Sequence, residues 1–415
     1  MSLIKNSALN MAGSIVPALV ALPAIGYLAR TLGAERFGLL TLAWALVGYA
    51  TLFDLGLSRA VSQYVAKHSQ LVDKSRKALG TAMGAVIASG SLVAIVLYST
   101  SGLLTDHVFN VSTLHRQDAI IGIELLGLTI PFLLGTLIVQ GFLEGRELFV
   151  ELNLQKTVAG TLIFLMPVLC VKYAPTFFSA VVGLFIARLV SLIIAMFRCN
   201  SIEPMRNWGG SKETFRDLVN YGSGIALTNT ISPIMGYLDR FFLSSIQGAQ
   251  FVGYYSGAAE LVSRLAVVPV SISRALFPKL VLATGNSPAV TALKNNARKY
   301  TAISCLPPSI IIFIFAEQLL ALWLGADMSL HASPLLRVLI VGFVFNAFAQ
   351  VPFSAIQARG DSYLTAKIQL FEVIPYIVML SYLGRAHGAL GVAIAWTTRI
   401  AADLVIMEYY SRREN

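Results

Sequence analysis

The hydrophobic positions of this chain neither alternate nor form narrow helical stripes; they come in runs of about 20 residues separated by short polar segments. A helix of that length crosses a hydrocarbon core of about 30 Å. Twelve runs are expected, at residues 7–29, 38–58, 80–102, 119–143, 152–171, 175–197, 219–239, 251–278, 298–322, 332–357, 363–383 and 388–410. The pattern therefore predicts an all-α polytopic membrane protein of about 12 transmembrane helices. The first run starts at Ser7, lacks a small-residue cleavage site and leads into further runs, so it reads as a retained span.

Composition agrees. The 415 residues are 56% hydrophobic and 13% charged, with a mean hydropathy of +0.72. A water-soluble fold with that balance would leave too much apolar surface in water. Charge then sets orientation, because cytoplasmic loops retain Lys and Arg. With the N-terminus inside, the inner segments and the adjoining first turns of their spans carry 20 basic residues, and the outer loops carry six. An even number of spans places both termini on that inner, cytoplasmic side. Much of the net charge of +10 belongs to this face, next to anionic headgroups, and calls for no nucleic-acid partner. Cys170, Cys199 and Cys305 lie in or beside separate runs, and His68, His107, His115, His331 and His387 have no metal-ligand spacing. No glycine-rich phosphate loop is present, so no metal, cofactor or bound nucleotide is expected.

An internal repeat organises the runs. Gly26-Tyr27-Leu28-Ala29-Arg30 returns as Gly236-Tyr237-Leu238-Asp239-Arg240, and Gly33-Ala34-Glu35-Arg36-Phe37-Gly38 aligns with Gly248-Ala249-Gln250-Phe251-Val252-Gly253. The six N-terminal runs also precede the six C-terminal ones by 211 to 218 residues. Six spans per half imply parallel repeats about an axis along the membrane normal, with a substrate cavity between two lobes. The expected domains are an N-terminal lobe at residues 1–200, a cytoplasmic linker with an amphipathic lead-in at 201–218, and a C-terminal lobe at 219–415.

Charges inside the runs need a reason, since each costs at least about 2.5–3.5 kcal/mol on insertion scales. In run 8, Ser256, Glu260, Ser263, Arg264, Ser271 and Arg274 share one helical stripe, as a surface lining water would. Glu260 and Arg264 are also spaced i, i+4, so a plain salt bridge is the competing reading. Arg399 and Asp403 in run 12 pose the same choice. Arg188 and Arg337 have no acidic residue within a turn of sequence and need a partner from another helix or from a ligand. Asp54, Glu124 and Glu372 supply intramembrane carboxyls, either as counter-charges or as carriers of a coupling ion. Guanidinium groups stay charged when desolvated and grip phosphate oxygens bidentately, so several of them favour an anionic cargo.

The tract from Gly26 to Gly38, with Phe53-Asp54-Leu55-Gly56-Leu57, resembles the start of the Wzx-type O-antigen and polysaccharide flippases of the multidrug/oligosaccharidyl-lipid/polysaccharide exporter superfamily. Gln140-Gly141-Phe142-Leu143-Glu144-Gly145, Asp239-Arg240, Val252-Gly253-Tyr254-Tyr255 and Leu276-Phe277-Pro278 extend the likeness over nearly the whole chain. These are turn and packing motifs that identify the superfamily better than the cargo. The resemblance implies two six-helix lobes forming a V around a cationic cavity, alternating access, and an undecaprenyl-pyrophosphate-linked oligosaccharide as cargo. Membrane lipids, an O-antigen polymerase and a chain-length regulator would be its partners, and the protein would not be an enzyme. Arg30, Asp239 and Arg240 carry over as gate or headgroup contacts; the cavity set is completed by Arg188, Arg264, Arg274, Arg337 and Arg399, with Asp54, Glu124, Asp239, Glu260, Glu372 and Asp403 as ion-coupling or gating candidates. A multidrug exporter of the same superfamily, or a membrane O-antigen polymerase or glycosyltransferase, are the alternatives. The short outer loops and the absence of an acidic or histidine cluster in them speak against the enzymes.

Overall fold

The computed structural model describes residues 3–68, 70–202, 210–283 and 285–412. Every regular element among them is helical. Eight helices are long and apolar enough to cross a membrane, and a ninth span arises if Ser287–Ile314 and Ala316–Leu324, bent by 81°, act together. Exposed large apolar side chains such as Leu92, Ile95, Phe197, Ile303 and Phe371 cover these helices, the surface that lipid and not water accommodates. The chain is a multi-pass membrane protein.

Two compact units divide it, Met1–Tyr237 and Leu238–Asn415. The first holds α1 (Leu3–Ala50), α2 (Leu57–Lys67), α3 (Val72–Leu103), α4 (Arg116–Gly145), α5 (Phe149–Tyr173), α6 (Phe177–Ile202) and most of α7 (Lys212–Gln247). Residues 203–209, the middle of the expected 201–218 linker, lie outside the described residues. At 48 residues α1 would be about 72 Å long if straight, more than twice a bilayer core. It breaks at Gly33, whose φ of 73° and ψ of 172° suit a residue without a Cβ. The Gly141-to-Gly145 motif has a packing cause. Both glycines of α4 lie against backbone of Ser58 and Ser62 on α2, so the two helices approach closely where any side chain would collide. Val61, Val65, Leu79, Met83, Leu134, Ile138 and Phe142 fill the core beside that crossing.

In the second unit α8 (Ala249–Leu265) and α9 (Val267–Leu282) run on through Ala266, because Ala266 N donates to Val262 O and Val270 N donates to Ala266 O. Then follow α10 (Ser287–Ile314), α11 (Ala316–Leu324), α12 (Ala326–Ala358) and α13 (Ser362–Arg412). α12 is the hub, packing against α8, α9, α10, α11 and α13. Its Gly342 lets Trp396 of α13 lie on its backbone, and Thr397 Oγ1 donates to Val338 O at 3.1 Å beside it. α13, 51 residues long, breaks at Gly388. Gly248, which the repeat aligns with Gly33, has φ 88° and ψ 170°. The aligned glycines thus make the same turn, and the repeat is conformational as well as textual.

Candidate functional site

The candidate charges behave differently in the two units. In the first, the candidate carboxylates accept from nearby amides and hydroxyls, while ion pairs such as Arg59–Glu144 and Arg198–Glu151 form from other residues. Asp54 accepts from Ser58 N at 3.2 Å and from Ser58 Oγ at 2.6 Å, tying the 3-10 turn Thr51–Asp54 to α2. Glu124 accepts from Ser101 Oγ at 3.2 Å. Asp118, outside the candidate set, caps α6 through Phe177 N and Phe178 N, both at 2.9 Å, and Arg36 reaches it at 3.4 Å. Glu35 accepts from Ser112 N at 2.7 Å beside the Gly33 break. Arg30 is exposed. Arg188 sits mid-way along α6, where no charged group among the described residues is near enough to act on it.

In the second unit the charges find one another. Arg240 Nη2 donates to Glu260 Oε1 at 3.1 Å and Arg264 Nη2 donates to Glu260 Oε2 at 3.2 Å, so one carboxylate is shared by two arginines. The i, i+4 salt bridge is therefore present, enlarged by Arg240 from the preceding helix, α7. Asp239 accepts from the Arg240 amide at 2.8 Å and from the Tyr255 hydroxyl at 2.5 Å. Tyr255 lies near Tyr376, whose ring carries the Arg399 guanidinium 5.1 Å from its centroid. Arg399 also acts electrostatically on Asp239, which joins the two halves of the network. Beyond it on α13 are Glu372 and Asp403, the latter one turn after Arg399. One oxygen of each, Glu372 Oε1 and Asp403 Oδ1, is buried without a donor.

Arg337 and Arg274 lie outside this network. Arg337 Nε donates to Phe313 O at 3.3 Å, near the end of α10, and thereby meets one of the carbonyls that a helix C-terminus leaves open. Arg274 is exposed on α9, as are Ser263 and Ser271 of its stripe, while Ser256 and Glu260 at the other end are buried. Sequence reading missed the two tyrosines that bridge the network. Tyr255 stands in the Val252-to-Tyr255 motif, and its i, i+5 spacing to Glu260 hides that both face one cluster.

Residues 3–282 match the polysaccharide biosynthesis protein family. The chain belongs to that family. It is 35% identical over 416 residues to a Shigella flexneri protein named "Putative O-antigen transporter", covering 100% of this chain and 98% of the relative. A more distant family relation, 20% identical over 94% of this chain and 79% of the other, is the uncharacterized membrane protein EpsK of Bacillus subtilis. Among solved structures, an inward-facing multidrug resistance MATE transporter of the MOP superfamily has a TM-score of 0.81 at 16% identity, covering 97% of each chain. The lipid II flippase MurJ, in an inward closed conformation, has a TM-score of 0.78 at 15% identity, covering 97% of this chain and 87% of that one. These likenesses establish that this polysaccharide biosynthesis family member has the MOP superfamily fold.

Proposed function

We propose that the protein is a flippase that moves an undecaprenyl-pyrophosphate-linked O-antigen or related polysaccharide repeat unit from the cytoplasmic to the periplasmic leaflet by alternating access. The full-length likeness to the Shigella O-antigen transporter carries this reading. Arg188 supports it, as an intramembrane cation free to receive a pyrophosphate oxygen. Arg264, Arg274 and Arg399 are secondary headgroup contacts, with Arg264 and Arg399 drawn from the network around Glu260 and Tyr376. We place twelve crossings in the inner membrane with both termini in the cytoplasm: α1 and α13 would supply two each, and α7 the one that joins the halves. An O-antigen polymerase and a chain-length regulator would receive the exported unit.

A potential that is negative inside favours outward anion movement by about 2.3 kcal/mol per charge per 100 mV, so a doubly charged headgroup gains roughly 4–5 kcal/mol. Glu372 and Asp403 are the coupling candidates we favour, because each keeps one buried carboxyl oxygen with no donor among the described residues, where an exchangeable proton could sit.

The test is purified protein in liposomes with a fluorescent polyprenyl-pyrophosphate oligosaccharide in one leaflet. Translocation without nucleotide is expected, and an imposed pH gradient should change its rate in the wild type but not in Glu372→Gln/Asp403→Asn. Export of a cationic dye with no movement of the lipid-linked sugar would replace the flippase by a multidrug exporter.

A further inference from the structure

A second charged cluster lies at one end of the C-terminal unit, where α10 begins and α12 and α13 end. Glu408 of α13 accepts from Arg298 Nη2 of α10 at 2.6 Å through both oxygens and from Arg412 Nε at 2.7 Å through Oε1. Its carboxylate is therefore fully engaged by two guanidinium groups. Lys294, one turn before Arg298, is only 5% exposed, yet its Nζ donates to neutral oxygens, Ser411 Oγ at 3.0 Å and Ser411 O at 3.4 Å. Arg359, at the end of α12, donates to Tyr410 O at 3.1 Å and keeps a buried Nε with no partner. Lys294 feels Glu408, Arg298, Arg359 and Arg412 together, so four cationic side chains surround one carboxylate. Such an excess of positive charge at close quarters is relieved by an anion with several acceptor oxygens.

The depth of the cluster indicates where that anion comes from. Along α10, the exposed positions before Tyr300 are mostly polar, with Asn295, Asn296 and Lys299 against Pro288 and Ala292, and those after it are mostly apolar, with Ile303, Ile310, Ile311, Phe313 and Ile314 against Ser304. The hydrocarbon boundary thus crosses α10 near Tyr300. Tyr300, Tyr363 and Tyr409 are 66%, 72% and 49% exposed, as tyrosines at a membrane–water interface are. Lys294 and Arg298 stand within two turns of that boundary on its polar side, the level of lipid phosphates.

We propose that Lys294, Arg298, Arg359 and Arg412 form a site for the phosphate of an anionic membrane phospholipid. Glu408 orients two of the arginines, the buried Lys294 and the open Arg359 Nε supply further donors, and the acyl chains lie along the apolar face of α10 beyond Tyr300. The site is independent of what the protein transports.

The experiment uses the full-length protein in nanodiscs of phosphatidylcholine containing graded phosphatidylglycerol, with retained lipid counted by native mass spectrometry. The wild type should retain phosphatidylglycerol over phosphatidylcholine by about tenfold, the effect of one charge-assisted hydrogen bond to phosphate. Lys294→Gln/Arg359→Gln should bring that ratio near unity. Arg412→Gln, at a position 71% exposed that folding can tolerate losing, should lower it severalfold if the buried pair proves too disruptive. Lys279→Gln/Lys299→Gln removes the same charge from exposed positions on α9 and α10 and should leave the ratio within twofold. An equal loss in that control, or protection of the protein by inorganic pyrophosphate in pure phosphatidylcholine discs, would overturn a lipid-headgroup site.

Discussion

The repeat offers an internal comparison. Around the shared glycine turn, the alignment that pairs Gly33 with Gly248 also pairs Leu40 with Tyr255, Ala45 with Glu260 and Tyr49 with Arg264. In the N-terminal unit Leu40 and Ala45 are fully buried and apolar; in the C-terminal unit their counterparts build the hydrogen-bonded network. The same turn therefore supports a packed hydrocarbon seam in one half and a charged cluster in the other. The division of labour follows. The N-terminal unit keeps an intramembrane cation, Arg188, with no counter-charge near it among the described residues, while the C-terminal unit sets Arg240, Arg264 and Arg399 beside Asp239, Glu260, Glu372 and Asp403. Counting arginines in the sequence could not reveal that asymmetry, because a cation that is neutralised in place and one that waits for a ligand look alike.

The largest effect should come from the unmatched cation. Arg188→Ala is expected to lower transport of the lipid-linked sugar by about 10- to 100-fold, the worth of about 1.5–3 kcal/mol for a hydrogen bond to a charged group, while leaving thermal stability unchanged or raised because an uncompensated charge has been removed. Arg264→Ala should do the opposite in kind, losing stability along with transport. Equal behaviour of the two variants, read as O-antigen display in a strain without its own flippase together with melting of the purified proteins, would erase the contrast between the units.

Glu260→Gln probes the matched network directly. It leaves Arg240 and Arg264 without their carboxylate, and breaking a buried pair from one side costs about 3–5 kcal/mol, so a fall of several degrees in the melting temperature is expected. Restoration of stability in Glu260→Gln/Arg240→Gln would show that the cost is the stranded guanidinium and not the missing carboxylate. The smallest effect belongs to the backbone-serving acids of the N-terminal unit. Asp118→Ala removes two amide acceptors at the start of α6 and should cost about 1 kcal/mol with transport nearly intact, measured by denaturation in detergent and by the same display assay.

Much of the fold was legible because lipid imposes it. Long apolar runs fold as helices in a membrane, eight or nine of them of spanning length among the described residues, and the Gly33 and Gly248 turns and the Gly141-to-Gly145 motif sit where glycine is required. The Glu260–Arg264 pair was legible for the same reason, since i, i+4 spacing decides proximity on a helix. The rest of the site depends on distant pairs. Arg240 with Glu260 and Arg337 with the Phe313 carbonyl are separated by 20 residues or more, and no local pattern announces them. Lys294 escaped notice because a lysine near a span end reads as an ordinary topology signal until its burial is seen.

The central position of α12 bears on mechanics. A helix that braces five neighbours along its length transmits load among them, so a displacement of any one of α8, α9, α10, α11 or α13 is felt by the others through α12. At the margin of the C-terminal unit the two glycine breaks are fastened to each other, since Gln247, next to Gly248, accepts from Ala389 N beside Gly388 at 2.7 Å, so a movement at one break pulls on the other.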